Sequence, residues 1–150
     1  MTDTPNSIHI SIPRLTARLD YLRESIVHFL SSVKIDEGTI SRIELSIYEA
    51  VVNIIEHSNP TFSDSDIEIE CTVRDDDILV VVKNYGDKFD VTEAVMPDIE
   101  KHYKSGKMRG LGIYFMRTLM DMVEYSHIDM INTLTMSKKF KHQQGPGAHM

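Results

Sequence analysis

Ile43, Ile47, Val51 and Ile54 recur at spacings of four, four and three. At about 100° per residue they form one apolar stripe along a helix. Burying four such side chains is worth roughly 1.5–3 kcal/mol each before entropy costs, so the stripe demands a core on which to lie. The opposite side of the same helix gathers Ser46, Glu49, Asn53, Glu56 and His57. Glu49 and Asn53 stand one turn apart, about 6 Å along the axis. That arrangement sets an acid able to accept a proton beside an amide oxygen suited to a hard cation. A solvated polar face gives the same pattern, so the helix by itself leaves both readings open.

The rest of the chain supplies the layer on which the stripe can pack. Ile8-His9-Ile10-Ser11-Ile12 alternates with period two and is stopped by Pro13, which predicts a strand. Leu15, Leu19, Leu22, Ile26, Phe29 and Leu30 predict an amphipathic helix over residues 15–32. Asp36-Glu37-Gly38-Thr39 breaks it, and Thr39 or Ser41 is expected to cap the second helix. That helix is expected to run to about His57 and stop near Asn59-Pro60. Two strands follow, at 67–73 and 78–83, joined by the acidic turn Asp75-Asp76-Asp77.

From Tyr85 to Gly110 the pattern weakens, with Gly86, Pro97, Gly106 and Gly110 in it. A stretch of that length without periodicity reads as a functional lid. A third helix is expected from near Leu111 to about Asp121, and residues 123–126 and 133–137 read as closing strands. The order predicts an α/β (α+β) two-layer sandwich, not a βαβ alternation. One domain is expected over residues 8–139. Residues 140–150 read as a flexible tail, whose Gly-Ala-His-Met end resembles vector-derived sequence.

The second glycine-rich segment, Gly106-Lys107-Met108-Arg109-Gly110-Leu111-Gly112, leads directly into the third helix. Its glycines permit close approach of backbone to ligand, and the first helical N–H groups point outward to meet phosphate oxygens. Lys107 and Arg109 add positive charge there. The segment lacks Gly-Lys-Ser/Thr and so is no Walker A loop. Phe115, where Gly or Ala is needed, and the want of a preceding strand make it a poor Rossmann fingerprint. A flexible loop before an ordinary helix start is the competing reading.

Charge and composition narrow the function classes. A net charge of -7 argues against a general nucleic-acid binder, which needs a dense Lys/Arg surface. Cys71 is the single cysteine, so there is no intrachain disulfide and no thiolate metal cage. With no signal-like start and no apolar run of membrane-spanning length, neither a membrane nor a secretory route is expected, and the cytoplasm is the default. Met116 and Met120 at helical spacing read as core, and Cys71 as a buried small side chain.

Three boxes in order carry a resemblance. Glu49-Ala50-Val51-Val52-Asn53-Ile54-Ile55-Glu56-His57 resembles the N box of the GHKL ATPases. Asn84-Tyr85-Gly86-Asp87-Lys88-Phe89-Asp90 resembles their first glycine box, and Arg109-Gly110-Leu111-Gly112-Ile113 their second. Spacing and order are similar to those of the anti-sigma-factor serine-protein kinases over residues 8–139. The resemblance implies a Bergerat-type fold, with a mixed, mostly antiparallel sheet and helices on one face. It implies ATP and Mg²⁺ as cofactors, with Glu49 as the general base and Asn53 as the Mg²⁺ ligand. Asn84 and Gly86 would meet the adenine, while Lys107, Arg109, Gly110, Leu111 and Gly112 would hold the phosphates. The implied partners are a STAS-domain anti-anti-sigma factor, phosphorylated on serine, and a sigma factor or analogous regulator. Arg23 stands where the family often has a partner-contacting arginine, and a homodimer is common in the family. His57 belongs to the N box and His28 to the first helix, which leaves no phospho-accepting histidine.

One position departs from the family pattern. The first glycine box usually opens with Asp, and here it opens with Asn84. A hydrogen bond to a charged group is worth roughly 1.5–3 kcal/mol and a neutral one about 0.5–1.5. The change is therefore expected to cost about 1 kcal/mol, or roughly fivefold in ATP affinity. Two alternatives to a kinase stand beside it: a non-catalytic partner-switching module with weak or no ATP use, and an ATPase that hydrolyses for conformational work.

Overall fold

In the computed structural model, residues 6–57, 59–89 and 112–141 are described, with side chains from residue 116 onward in the last segment. The chain runs β1 (Ser7–Ile12), a 3₁₀ turn (Thr16–Arg18), α1 (Leu19–Ser32), α2 (Glu37–His57), a second 3₁₀ turn (Pro60–Phe62), then β2 (Ile67–Val73) and β3 (Asp77–Tyr85). After the glycine-rich region come α3 (Gly112–Leu119), β4 (Met122–Ile128) and β5 (Ile131–Lys139). The five strands form one sheet in the order β1-β2-β3-β5-β4. All four pairings are antiparallel, so the expected mostly antiparallel sheet is antiparallel throughout the described strands. This is the α+β two-layer sandwich that the element order predicts.

Alternation explains which face is covered. Ile10 and Ile12, Ile67, Ile69 and Cys71, Ile78, Val80 and Val82, and Leu134 and Met136 all point to one side and are buried. Leu22, Ile26 and Leu30 of α1 and Ile43, Ile47, Val51 and Ile54 of α2 close over them. Met116 and Met120 join this core, and Cys71 is buried with its thiol pushed up to about 12 by desolvation. Both findings agree with the reading of those residues as packing. α2 lies centrally, packed against α1, α3 and β3. Among the described residues, no helix is long and apolar enough to cross a membrane.

Several local expectations change. The Asp36 carboxylate accepts from Thr39 N–H at 3.0 Å, so Asp36 caps α2 in place of Thr39 or Ser41. Residues 15–18 do not continue α1: Leu15 is exposed and the 3₁₀ turn begins at Thr16. β3 reaches Tyr85, which puts Asn84 inside a strand. The last two strands are longer than expected because they meet in a two-residue turn, with Ile128 opposite Ile131 and positive φ at Asp129 and Met130 (52° and 65°). Phe140 packs against the core and donates its N–H to the Asp76 carbonyl at 3.2 Å. Phe140, one residue past the expected bound, is therefore part of the packed structure.

The polar face of α2 also needs correction. Ser46 and Asn53 were expected to share a face opposite the apolar stripe, yet both are buried, and Asn53 is 8% exposed. A helix packed on the sheet below and on α1 and α3 at its flanks keeps little open surface. Glu49 and Glu56 retain partial or full access to solvent.

Candidate functional site

The end of β3 builds one wall of a pocket of about 190 Å³, lined by Ile54, His57, Asn59, Phe62, Asn84, Gly86, Asp87, Lys88 and Phe89. α2 contributes the opposite wall through Ile54 and His57. That volume suits a heteroaromatic base and falls below the roughly 300 Å³ at which drug-sized pockets begin. Asn84, 7% exposed, is the buried polar side chain in it and lines a smaller inner cavity of about 20 Å³ as well. The His57 and Phe89 rings lie stacked, 6.0 Å between centroids and 16° between planes.

Gly86 follows directly, and a side chain there would be strained and crowded. A Cβ would stand 3.3 Å from Cδ2 of Phe62, on a backbone with φ of 156°. Phe62 is itself fixed by an edge-on contact with Tyr85 at 5.5 Å. The first glycine box therefore keeps the pocket open at the point where residue 86 would fill it.

A set of side chains that the sequence reading did not single out holds this wall in place. Asn132 on β5 is the register partner of Asn84. Its Oδ1 accepts from Phe89 N–H at 3.0 Å and from the Tyr125 hydroxyl, and its Nδ2 donates to the Asp87 carbonyl at 2.8 Å. A ring nitrogen of His127 lies 2.9 Å from the Gly86 carbonyl, and Gly86 N–H donates to the Met130 carbonyl at 2.8 Å. From the other side, Arg14 donates to the Ser65 and Tyr85 carbonyls at 2.9 and 2.6 Å. Burial lowers its guanidinium pKa, which marks how completely it is enclosed. Asn132 lies just before the strand predicted at 133–137, so nothing in the sequence pattern signals it.

On α2, Asn53 lies one residue before the pocket-lining Ile54, and Glu49 one turn further from the pocket. Glu49 is half-buried, and desolvation with the nearby charge of Glu56 raises its carboxyl pKa. A carboxylate shifted upward is a stronger base, the direction that proton abstraction needs. Among the described residues, no cluster of three or more His, Cys, Asp or Glu could hold a metal. The Asn53 amide oxygen is a donor of the kind that Mg²⁺ takes alongside substrate phosphates. Gly112 opens α3, whereas Lys107, Arg109, Gly110 and Leu111 lie outside the described residues.

Arg23 stands well away from this pocket, at an open groove lined with Asp20, Glu24, Val27, His28, Ser31 and Glu44. Its Nε donates to the Glu44 carboxylate, and its guanidinium lies 5.0 Å from the centre of the Tyr48 ring. Glu44 raises its pKa, so the group stays charged.

Comparison with known proteins gives a consistent result. Residues 12–138 match the model of the histidine kinase-like ATPase domain. An anti-sigma F factor from Clostridium novyi is 24% identical over 122 residues, covering 81% of this chain and 85% of that protein. Serine-protein kinase RsbW from Bacillus subtilis is 24% identical over 143 residues, covering 92% and 88%. Among solved structures, the RsbU and RsbW domains of a Mycobacterium tuberculosis protein superpose with a TM-score of 0.66 at 19% identity. That match covers 91% of this chain and 33% of the longer one. The SiaB–SiaC complex from Pseudomonas aeruginosa gives 0.60 at 11% identity, covering 89% of each chain.

Proposed function

The chain belongs to the histidine kinase-like ATPase domain family, and on that premise we propose that it is a partner-switching protein-serine kinase using Mg-ATP. Its acceptor is a serine on a STAS-domain antagonist, and its unphosphorylated antagonist competes for it with a sigma factor or analogous regulator. The names of the relatives, anti-sigma F factor and serine-protein kinase RsbW, support the class. The observation that carries the reading is the dual use of α2. One helix lends Ile54 and His57 to the base-sized pocket and, within two turns, presents Asn53 and a pKa-raised Glu49.

Each group then has a task. Gly86 and Phe62 leave room for the adenine, and the Asn84 amide meets its edge. Asn53 would hold Mg²⁺, which would supply charge neutralisation at the phosphates. Lys107, Arg109 and the amides of Gly110, Leu111 and Gly112 bind the phosphate oxygens. Glu49 accepts the proton of the serine hydroxyl as its oxygen bonds to the γ-phosphorus and the bond to the β-phosphate oxygen breaks. Phosphoryl transfer depends mainly on positioning and charge, so these few groups suffice. Arg23, charged and half-exposed on the outer groove, is the residue assigned to partner contact.

Transfer of γ-phosphate to a cognate STAS serine, dependent on Mg²⁺ and lost in Glu49→Ala, is the direct assay. Tight Mg-ATP binding without any transfer would refute the kinase assignment. A second reading, a module that holds its partner without phosphorylating it, is favoured by the neutral Asn84. Thermal shift separates the two, because ligand at 100 times its Kd adds about 2.7 kcal/mol of stability. An unchanged Tm at millimolar Mg-ATP would favour the second.

A further inference from the structure

We infer that Asn84 makes the base pocket accept 6-oxopurine nucleotides, the class of hypoxanthine and guanine, as well as 6-aminopurine ones. The inference rests on the nucleotide-site reading above and concerns which base that site selects.

The pocket offers a base edge few functional groups that are free to meet it. Ile54, Phe62 and Phe89 are apolar, and Gly86 is a space. His57 is stacked on Phe89, Asn59 donates to the Asp87 carboxylate at 3.2 Å, and the Lys88 ammonium can only donate. Asn132, directly across the strand pair, is occupied: Oδ1 takes two hydrogen bonds and Nδ2 gives one, all to the chain around residues 87–89 and to Tyr125. The Asn84 side chain, by contrast, makes no hydrogen bond to another described residue, although the residue is more than nine-tenths buried and lines both cavities. A buried amide needs partners. A base edge seated in the pocket would supply them, so Asn84 becomes the reader.

What an amide reads differs from what a carboxylate reads. A carboxylate accepts and never donates while ionised. It takes the N6–H of adenine and faces repulsion from the oxygen of a 6-oxopurine. An amide carries one acceptor and one donor side by side. Toward adenine, Oδ1 accepts from N6–H and Nδ2 donates to N1. Rotated by half a turn about its last side-chain bond, the same amide donates to O6 and accepts from N1–H. Both purines therefore gain two hydrogen bonds from one residue, and neither leaves a polar atom of the amide unmatched. The fixed Asn132 network lets Asn84 turn without disturbing the wall that carries it.

Inosine triphosphate is the suitable probe, because it differs from ATP solely at the edge that Asn84 meets. Calorimetric titration of the whole chain with Mg-ATP and Mg-ITP is expected to give Kd values within about tenfold of each other, as equal hydrogen-bond counts require. Asn84→Asp is expected to widen the ratio in favour of ATP by tenfold or more. Preference of the wild type for ATP by more than tenfold would overturn the inference and leave the nucleotide site standing. No binding of either at millimolar concentration would overturn the nucleotide reading, and this inference with it. The wild-type ratio decides even if the buried carboxylate of the variant prevents folding. Asn84→Ala gives a further check, with both nucleotides expected to weaken together.

Discussion

Asn132 is the residue whose removal tests the site's architecture most directly. Its side chain is 4% exposed and joins three groups: Phe89 N–H, the Asp87 carbonyl and the Tyr125 hydroxyl. At a central value of about 1 kcal/mol for each net hydrogen bond, Asn132→Ala is expected to cost about 3 kcal/mol. For a chain of this size each kcal/mol lowers Tm by roughly 2–4 °C, so the fall is roughly 6–12 °C. Urea unfolding measures the loss directly, and an unchanged m value would show that the native state has not otherwise loosened. Tyr125→Phe deletes one donor to the same oxygen and one acceptor of Phe89 N–H, and is expected to cost about 1–2 kcal/mol. Because the two changes share an acceptor, the double variant should fall short of their sum by 0.5 kcal/mol or more. Asn132→Asp adds a signed control. Its buried carboxylate would oppose the Asp87 carbonyl, so its folded pKa rises, and the variant regains stability as pH falls and the protonated acid donates. A loss under about 1 kcal/mol for Asn132→Ala, or strict additivity with Tyr125→Phe, would refute the claim that this amide anchors the pocket wall.

Three further perturbations read other parts of the structure. Gly86→Ala puts a Cβ 3.3 Å from the Phe62 ring on a φ of 156°, and is expected to cost about 1–3 kcal/mol and to weaken Mg-ATP binding. Equal affinity for the nucleotide in calorimetry would count against that pocket as the base site. Met130 holds φ at 65° in the β4–β5 turn, a conformation that costs a side chain about 1–2 kcal/mol. Met130→Gly is therefore expected to raise the urea midpoint while keeping the Gly86 N–H bond to the residue 130 carbonyl. Glu49 has a raised folded pKa, so its contribution is favourable below the ordinary carboxyl range and is lost as pH rises through the raised value. Glu49→Gln should then be more stable than the wild type at neutral pH, with the gain vanishing in acid, while phosphoryl transfer is lost. A gain of equal size at both pH values would point to a cause other than ionisation.

Legibility in the sequence follows the reach of each interaction. Periodicity reports on local geometry, so β1, the end of α2 and the β2–β3 pair were readable to within a residue or two. The start of α2 lies three or more residues before the expected caps allow. The β4–β5 turn was not, because Asp129-Met130 lacks the Asn-Gly or Asp-Gly chemistry that advertises two residues at positive φ. The polarity of Ser46 and Asn53 suggested an open face, yet burial on α2 is decided by α1 and α3, which close on its flanks. Glu49, Asn53, Asn84 and Gly86 stand out because the boxes that hold them resemble those of the GHKL ATPases. Arg14, Tyr125, His127 and Asn132 did not, because the partners they hold in residues 85–89 lie 36 to 71 positions away in the chain. Helix or strand pattern carries no trace of a bond across that distance.

Those long-range bonds bear on how binding strength is distributed over the site. Around residues 85–89 the backbone is tied to β5 by Asn132, to β4 by His127 and Tyr125, and to the β1 end by Arg14. A base entering there meets a wall already ordered, so little conformational entropy is lost on contact and weak neutral hydrogen bonds still count nearly in full. This favours a pocket in which an amide can replace a carboxylate without abolishing affinity. A wall that had to order itself around the base would need the stronger, charged contact to offset the cost. The neutral Asn84 and the densely bonded Asn132 are in this sense a matched pair. Loosening the second should therefore reduce nucleotide affinity by more than the same loss of stability placed elsewhere in the core. Ile69→Val, a truncation in β2 away from the pocket lining, is the comparison: it is expected to lower Tm and leave the Kd for Mg-ATP unchanged.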